Sequence, residues 1–220
     1  MTKFNQDKFK ILTLAFFFFI SSIILLLCLI TFNHNDNSFF NLDSSNKKIS
    51  NFLGSFGSYL SDLLFQGIGV IAFLIPIIFF IWSIIIFKNR KSINWLSIFF
   101  FPFLIVSSCI CISVSSFENF SFLPSSNSGF MGEGLKQIIF YYFEGNLKLI
   151  KLISIIFTPL FFFIVSGVRP KEWYSITIKI LNLLRNIFFL LFSSFKKKRN
   201  INRSRTRRKI LDVKKMKKNL

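Results

Sequence analysis

The residues able to do chemistry in this sequence are few. It holds nine acids, one histidine (His34) and three cysteines (Cys28, Cys109 and Cys111). Asp62 is the most suggestively placed acid, at the join between a small polar stretch and a long apolar run. Inside a membrane an acid is a proton-relay candidate. At a helix start it accepts free backbone N–H groups and meets the positive end of the dipole. Its border position favours the second role, with Ser61 or Asp62 as the cap. Cys109-x-Cys111 is not metal-ligand spacing and no histidine stands near it, so the cysteines read as small hydrophobes. The only lysine that follows several glycines is Lys136, and a leucine separates it from Gly134, which cannot form a phosphate cradle. There is no H-E-x-x-H and no plausible pair of cooperating carboxylates. These residues predict no catalysis, no cofactor and no metal.

The basic residues carry more information. Lysines and arginines number 28 against 9 acids, for a net charge of +19, and 13 of the 28 lie in the last stretch, 196–220. Lys196, Lys197, Lys198, Arg199, Arg203, Arg205, Arg207, Arg208 and Lys209 form its densest part. Such a tail attracts anionic lipid, at about 1 kcal/mol per basic residue near a membrane surface. It could also release counterions from nucleic-acid phosphates. No aromatic residue follows Phe195, so base stacking has no support and any DNA contact would be sequence-independent.

The elements behind these residues are set by hydrophobicity. Apolar types make up 52% of the chain, including 34 phenylalanines, and they fall in long blocks. A helix needs roughly 20 mostly apolar residues to cross a hydrocarbon core about 30 Å thick. Four spans follow, at about 11–32, 63–87, 93–117 and 149–168, after a basic N-terminus at 1–10. The first run is too long for a signal-peptide core and no small-x-small cleavage site follows it, so it reads as an uncleaved span. In the second, Gly67 and Gly69 would admit a neighbouring helix closely, and Pro76 would kink or locally loosen the helix. The basic turn at 88–91 is so short that spans two and three form an antiparallel hairpin. Pro102 and Pro159 lie inside spans three and four. A short aromatic stretch, 135–143, would lie at the membrane interface with Tyr141 and Tyr142 among headgroups. Residues 169–195 read as an interfacial amphipathic helix, and 196–220 as a basic tail without fixed structure. The fold class is an all-α membrane protein.

Charge orients it. With four spans both termini share a side, which also holds the basic turn and everything from Arg169 onward. The opposite side has only Lys47, Lys48, Lys136, Lys148 and Lys151. The positive-inside rule then places both termini in the cytoplasm of an inner membrane.

Within this frame, Asn51, Leu53, Gly54, Gly57, Tyr59, Leu60, Asp62, Gly69, Ala72, Phe73 and Pro76 form a pattern that resembles the N-terminal four-transmembrane region of the bacterial FtsK/SpoIIIE DNA translocases. The order of parts is similar too, including a Gly-rich patch at 129–134 in the second outer loop and a basic exit after the last span. The resemblance covers about residues 8–168. It implies a membrane anchor at the division septum, implicated in cell division and chromosome segregation. Its expected partners are the membrane, further copies of itself, divisome proteins and a separately encoded ATPase motor. It implies packing roles for Asn51, Gly54, Gly57, Asp62, Gly67, Gly69 and Pro76. The 220 residues contain no motor motif, so no translocase activity is expected of this chain. The other readings are a tethered basic tail that holds DNA or anionic lipid, and a small transporter or channel subunit, which the lack of midplane charge disfavours.

Overall fold

The computed structural model describes residues 3–39, 49–89, 92–115, 120, 122–142, 146–168, 171–175, 177–179, 181–182 and 185–186. The chain divides into two units, Met1–Val168 and Arg169–Leu220. The first unit contains α1 (Lys3–Ile30), α2 (Gly54–Ile68), a 3₁₀ turn (Gly69–Phe73), α3 (Leu74–Asn89), α4 (Trp95–Val114), α5 (Gly129–Tyr142) and α6 (Leu147–Ser166). The described residues of the second unit are helical, and the tail lies outside the described residues. No strand occurs among the described residues.

Four helical segments are long and apolar enough to cross a membrane: Lys8–Ile30, Gly54–Asn89, Trp95–Val114 and Leu147–Ser166. Neighbours run antiparallel. Phe18 of α1 meets Phe79 and Trp82 of α3, while Ser22, four residues further along α1, donates a 2.8 Å hydrogen bond to the Pro76 carbonyl, three residues before Phe79. Phe100 of α4 stacks on Phe161 of α6, and Ser97 donates to the Ile164 carbonyl at 3.0 Å. The Trp82 indole N–H joins the two pairs through the Val165 carbonyl at 2.7 Å. Buried serines at 22, 83, 97, 107, 108 and 154 keep these contacts close, as small residues do between membrane helices. α6 has its own stop signals. The Asn146 side chain caps its start, and Gly167 closes its end in the left-handed region at φ 66°.

The second span departs from the single helix expected over 63–87. At 36 residues Gly54–Asn89 would be roughly 54 Å long if straight, nearly twice the hydrocarbon core. It is not straight. Phe65, near the end of α2, packs its ring 4.9 Å from that of Phe32, just past the end of α1. A straight continuation of α3 would carry Asn51 roughly 21 Å beyond that level. Instead the Asn51 amide bonds to the Cys28 and Thr31 carbonyls of α1. α2 therefore runs across the end of the bundle, and the crossing itself is 69–89, rising roughly 34 Å.

Pro76 lies just after the 3₁₀ turn Gly69–Phe73, at the start of α3. It stands in the first turn, where its missing N–H has no intrahelical partner to lose. The break lies upstream, at Gly69. The aromatic stretch expected at the interface over 135–143 is the later part of α5, a helix that begins at Gly129, and residue 143 lies outside the described residues.

Candidate functional site

Four of the residues singled out in 51–76, Asn51, Gly54, Gly57 and Gly69, fall in two packing knots at the end of the bundle where α1 stops. Neither has the make-up of a catalytic site.

The first knot centres on Asn51, which is 4% exposed. Its amide donates to the Cys28 carbonyl at 2.9 Å and the Thr31 carbonyl at 3.3 Å, and its Oδ1 accepts the Leu53 N–H at 3.1 Å. It thereby caps the last carbonyls of α1 and starts the turn into α2. The turn closes with the Gly54 N–H on the Asn51 carbonyl at 2.9 Å, with Gly54 at φ 62°. Gly57 lies under the Asn51 side chain. A Cβ there would stand 2.8 Å from Asn51 Cγ and 2.9 Å from Leu53 Cβ. The spacing Asn51, Gly54, Gly57 thus has a geometric cause: one residue caps, one turns and one yields space.

Asp36 completes this knot. Its two carboxylate oxygens accept the Ser50 and Asn51 N–H groups, both at 2.9 Å, and it is 5% exposed. Bonds of this kind to a charged acceptor contribute about 1.5–3 kcal/mol each. Thr31 adds its hydroxyl as acceptor for the Phe52 N–H, and Ser58 donates to the Asn37 carbonyl at 2.7 Å.

The second knot is built on the break at Gly69. Its N–H closes α2 on the Phe65 carbonyl, and φ 59° suits glycine alone. The broken helix frees backbone groups that membrane burial forbids leaving bare. The loop before α5 supplies partners. The Val70 N–H donates to the Asn127 carbonyl at 2.9 Å, and Ser125 reaches the Phe65 carbonyl at 3.5 Å. The Asn127 side chain holds its own loop by accepting the Phe120 N–H at 2.8 Å. A Cβ on Gly69 would come within 2.6 Å of the Asn127 carbonyl carbon, and one on Gly129 within 2.6 Å of the Gly69 nitrogen. Glycine therefore meets glycine, with no side chain between. Glu133 accepts from Ser113 of α4 and Ser128 at 3.3 and 3.2 Å, which ties α5 down. Phe65, fully buried, fills the space between the knots beside Phe32, Phe73 and Phe122.

Two expectations are corrected here. Asp62 and Ser61 cap nothing: α2 begins at Gly54, eight residues earlier, and Asp62 sits inside the helix at 3% exposure with Oδ2 unpartnered. Gly67 and Gly69 do not form one face toward a neighbouring membrane helix. Gly69 meets the Asn127–Gly129 loop, whereas a Cβ on Gly67 would enter open space. The basic residues of the tail, Lys196 to Lys209 in the densest part, lie outside the described residues.

The sequence pattern points to Asn51, Gly54, Gly57 and Gly69 but carries no signal for Asp36, Thr31 or Asn127. Asp36 is separated from its partners by a loop, and no local spacing signals such a bond. Among the described residues no group of three or more His, Cys, Asp or Glu could hold a metal ion. What the geometry does is lock the direction of a chain at one end of a membrane bundle.

The family model for the 4TM region of DNA translocase FtsK/SpoIIIE matches residues 8–181. The chain is similar to the DNA translocase FtsK of Rickettsia bellii (strain RML369-C), 30% identical over 148 residues, covering 66% of this chain and 19% of that protein. It is similar to the DNA translocase FtsK of Rickettsia typhi (strain ATCC VR-144 / Wilmington), 33% identical over 106 residues, covering 48% of this chain and 14% of that protein. The matched part is thus under a fifth of the length of these relatives. No solved structure matches the chain.

Proposed function

Since this chain belongs to the family of the 4TM region of DNA translocase FtsK/SpoIIIE, we propose that it is a septal membrane anchor that acts by assembly and has no motor activity of its own. The observation that carries this reading is the Asn51–Gly57 knot, because the family pattern coincides with a folded device in the matched segment. A rigid end to the bundle gives divisome proteins or further copies a fixed surface to engage. The concentration of basic residues in the sequence after span two and after span four supports an inner-membrane protein whose termini are cytoplasmic. In that orientation both knots face outward, and a separately encoded ATPase motor would meet the basic side. The tail would contact anionic lipid, or DNA without sequence preference.

Complementation tests this. The full chain, joined to the motor of an FtsK relative stripped of its own membrane region, should restore division to cells that need that region. Filamenting cells, despite normal levels of membrane-inserted fusion, would count against the anchor role.

A further inference from the structure

An apolar groove of about 630 Å³ runs between α1 and α3, away from both knots. Its floor exists because small residues face each other: Ala15 and Ser83, at 2% and 6% exposure, lie where the two helices meet. Its walls are large and exposed, Phe16 on one side and Ile84 and Phe87 on the other. Lys88, in the last turn of α3, lies at one end of it. Since α1 and α3 are antiparallel, that end also carries the start of α1. Lys8 and Lys10, exposed near the start of α1, lie toward that end with the exposed Lys88.

We infer that this groove is a binding site for one anionic phospholipid, with an acyl chain between α1 and α3 and the headgroup phosphate at Lys88. The volume falls within the roughly 300–1,000 Å³ of ligand sites. The walls belong to helices apolar enough to cross a membrane, so the surrounding medium is lipid hydrocarbon. Basic pockets between membrane helices select phosphate headgroups by charge. A second copy seated in the groove would oppose its own basic end to this one, which charge disfavours. This site is separate from the tail, and it holds whether or not the chain acts at the septum.

Native mass spectrometry of the delipidated full chain, titrated with phosphatidylglycerol or with phosphatidylcholine of the same acyl chains, tests it. Wild type should retain more phosphatidylglycerol than phosphatidylcholine. Thr13→Trp, which puts bulk on the groove lining, and Lys88→Gln, at an exposed position, should each retain one phosphatidylglycerol fewer per chain. The tail contributes equally to all three proteins. Equal phosphatidylglycerol counts in wild type and Lys88→Gln would overturn the headgroup contact. Unchanged lipid counts in Thr13→Trp, with loss of a dimer peak, would make the groove a contact between copies and overturn the proposal. Lys88 is exposed, and Lys88→Gln, compared with wild type at equal helical content, remains informative if Thr13→Trp unfolds.

Discussion

At the scale of residues, glycines of similar sequence appearance have opposite roles. Gly69→Ala should be strongly destabilising, because a left-handed φ costs a side-chain-bearing residue about 1–2 kcal/mol and the added Cβ has no space beside Asn127 and Gly129. Gly129→Ala should behave likewise. Gly67→Ala should be neutral or stabilising by up to about 1 kcal/mol, since alanine favours a helix and nothing lies within reach. Melting midpoints in one detergent compare the three directly. Asp36→Ala removes the acceptor of two backbone N–H groups and should lower stability by about 2 kcal/mol or more, read the same way. The two knots were unequally legible in the sequence. Gly54, Gly57 and Gly69 stand out because glycine marks unusual backbone or close approach. Asp36 and Asn127 do not, because their partners are fixed by tertiary folding and not by spacing. The apolar border at Asp62 suggests a helix start, whereas the small polar residues before it already form the first turns of α2.

At the scale of elements, hydrophobic length reveals that a segment crosses and leaves open where it turns. Spans one, three and four were legible because each apolar block is close to one membrane thickness. Span two was not, because α2 is amphipathic and merges with α3 into one continuous apolar stretch. The turn is set by Gly69 and by loop partners from residues far away in sequence. If α2 lies across the bundle end, both of its ends share one side of the membrane. In a background with the native cysteines replaced, Ser55→Cys and Gln66→Cys should both react with an impermeant maleimide added from the side where α1 ends. Protection of Gln66→Cys from both sides, with Ser55→Cys labelled, would mean that α2 enters the hydrocarbon. Between elements, Trp82→Phe leaves the Val165 carbonyl without its donor and should cost roughly 1–3 kcal/mol in the same melting assay.

At the scale of the whole molecule, the first unit is a four-span bundle with its polar structure concentrated at one end. That end holds two folded loops, two helices that do not cross, and most of the interactions that depend on particular side chains. The other end is basic and short-turned. This polarity suits a protein that engages partners on one face and remains fixed in the membrane by the rest. The most direct measurement is the position of a full-length fluorescent fusion in dividing cells at native expression. A band at midcell that forms with constriction is the expected result. Even fluorescence round the envelope, in cells that are dividing and hold an intact fusion, would contradict a septal anchor.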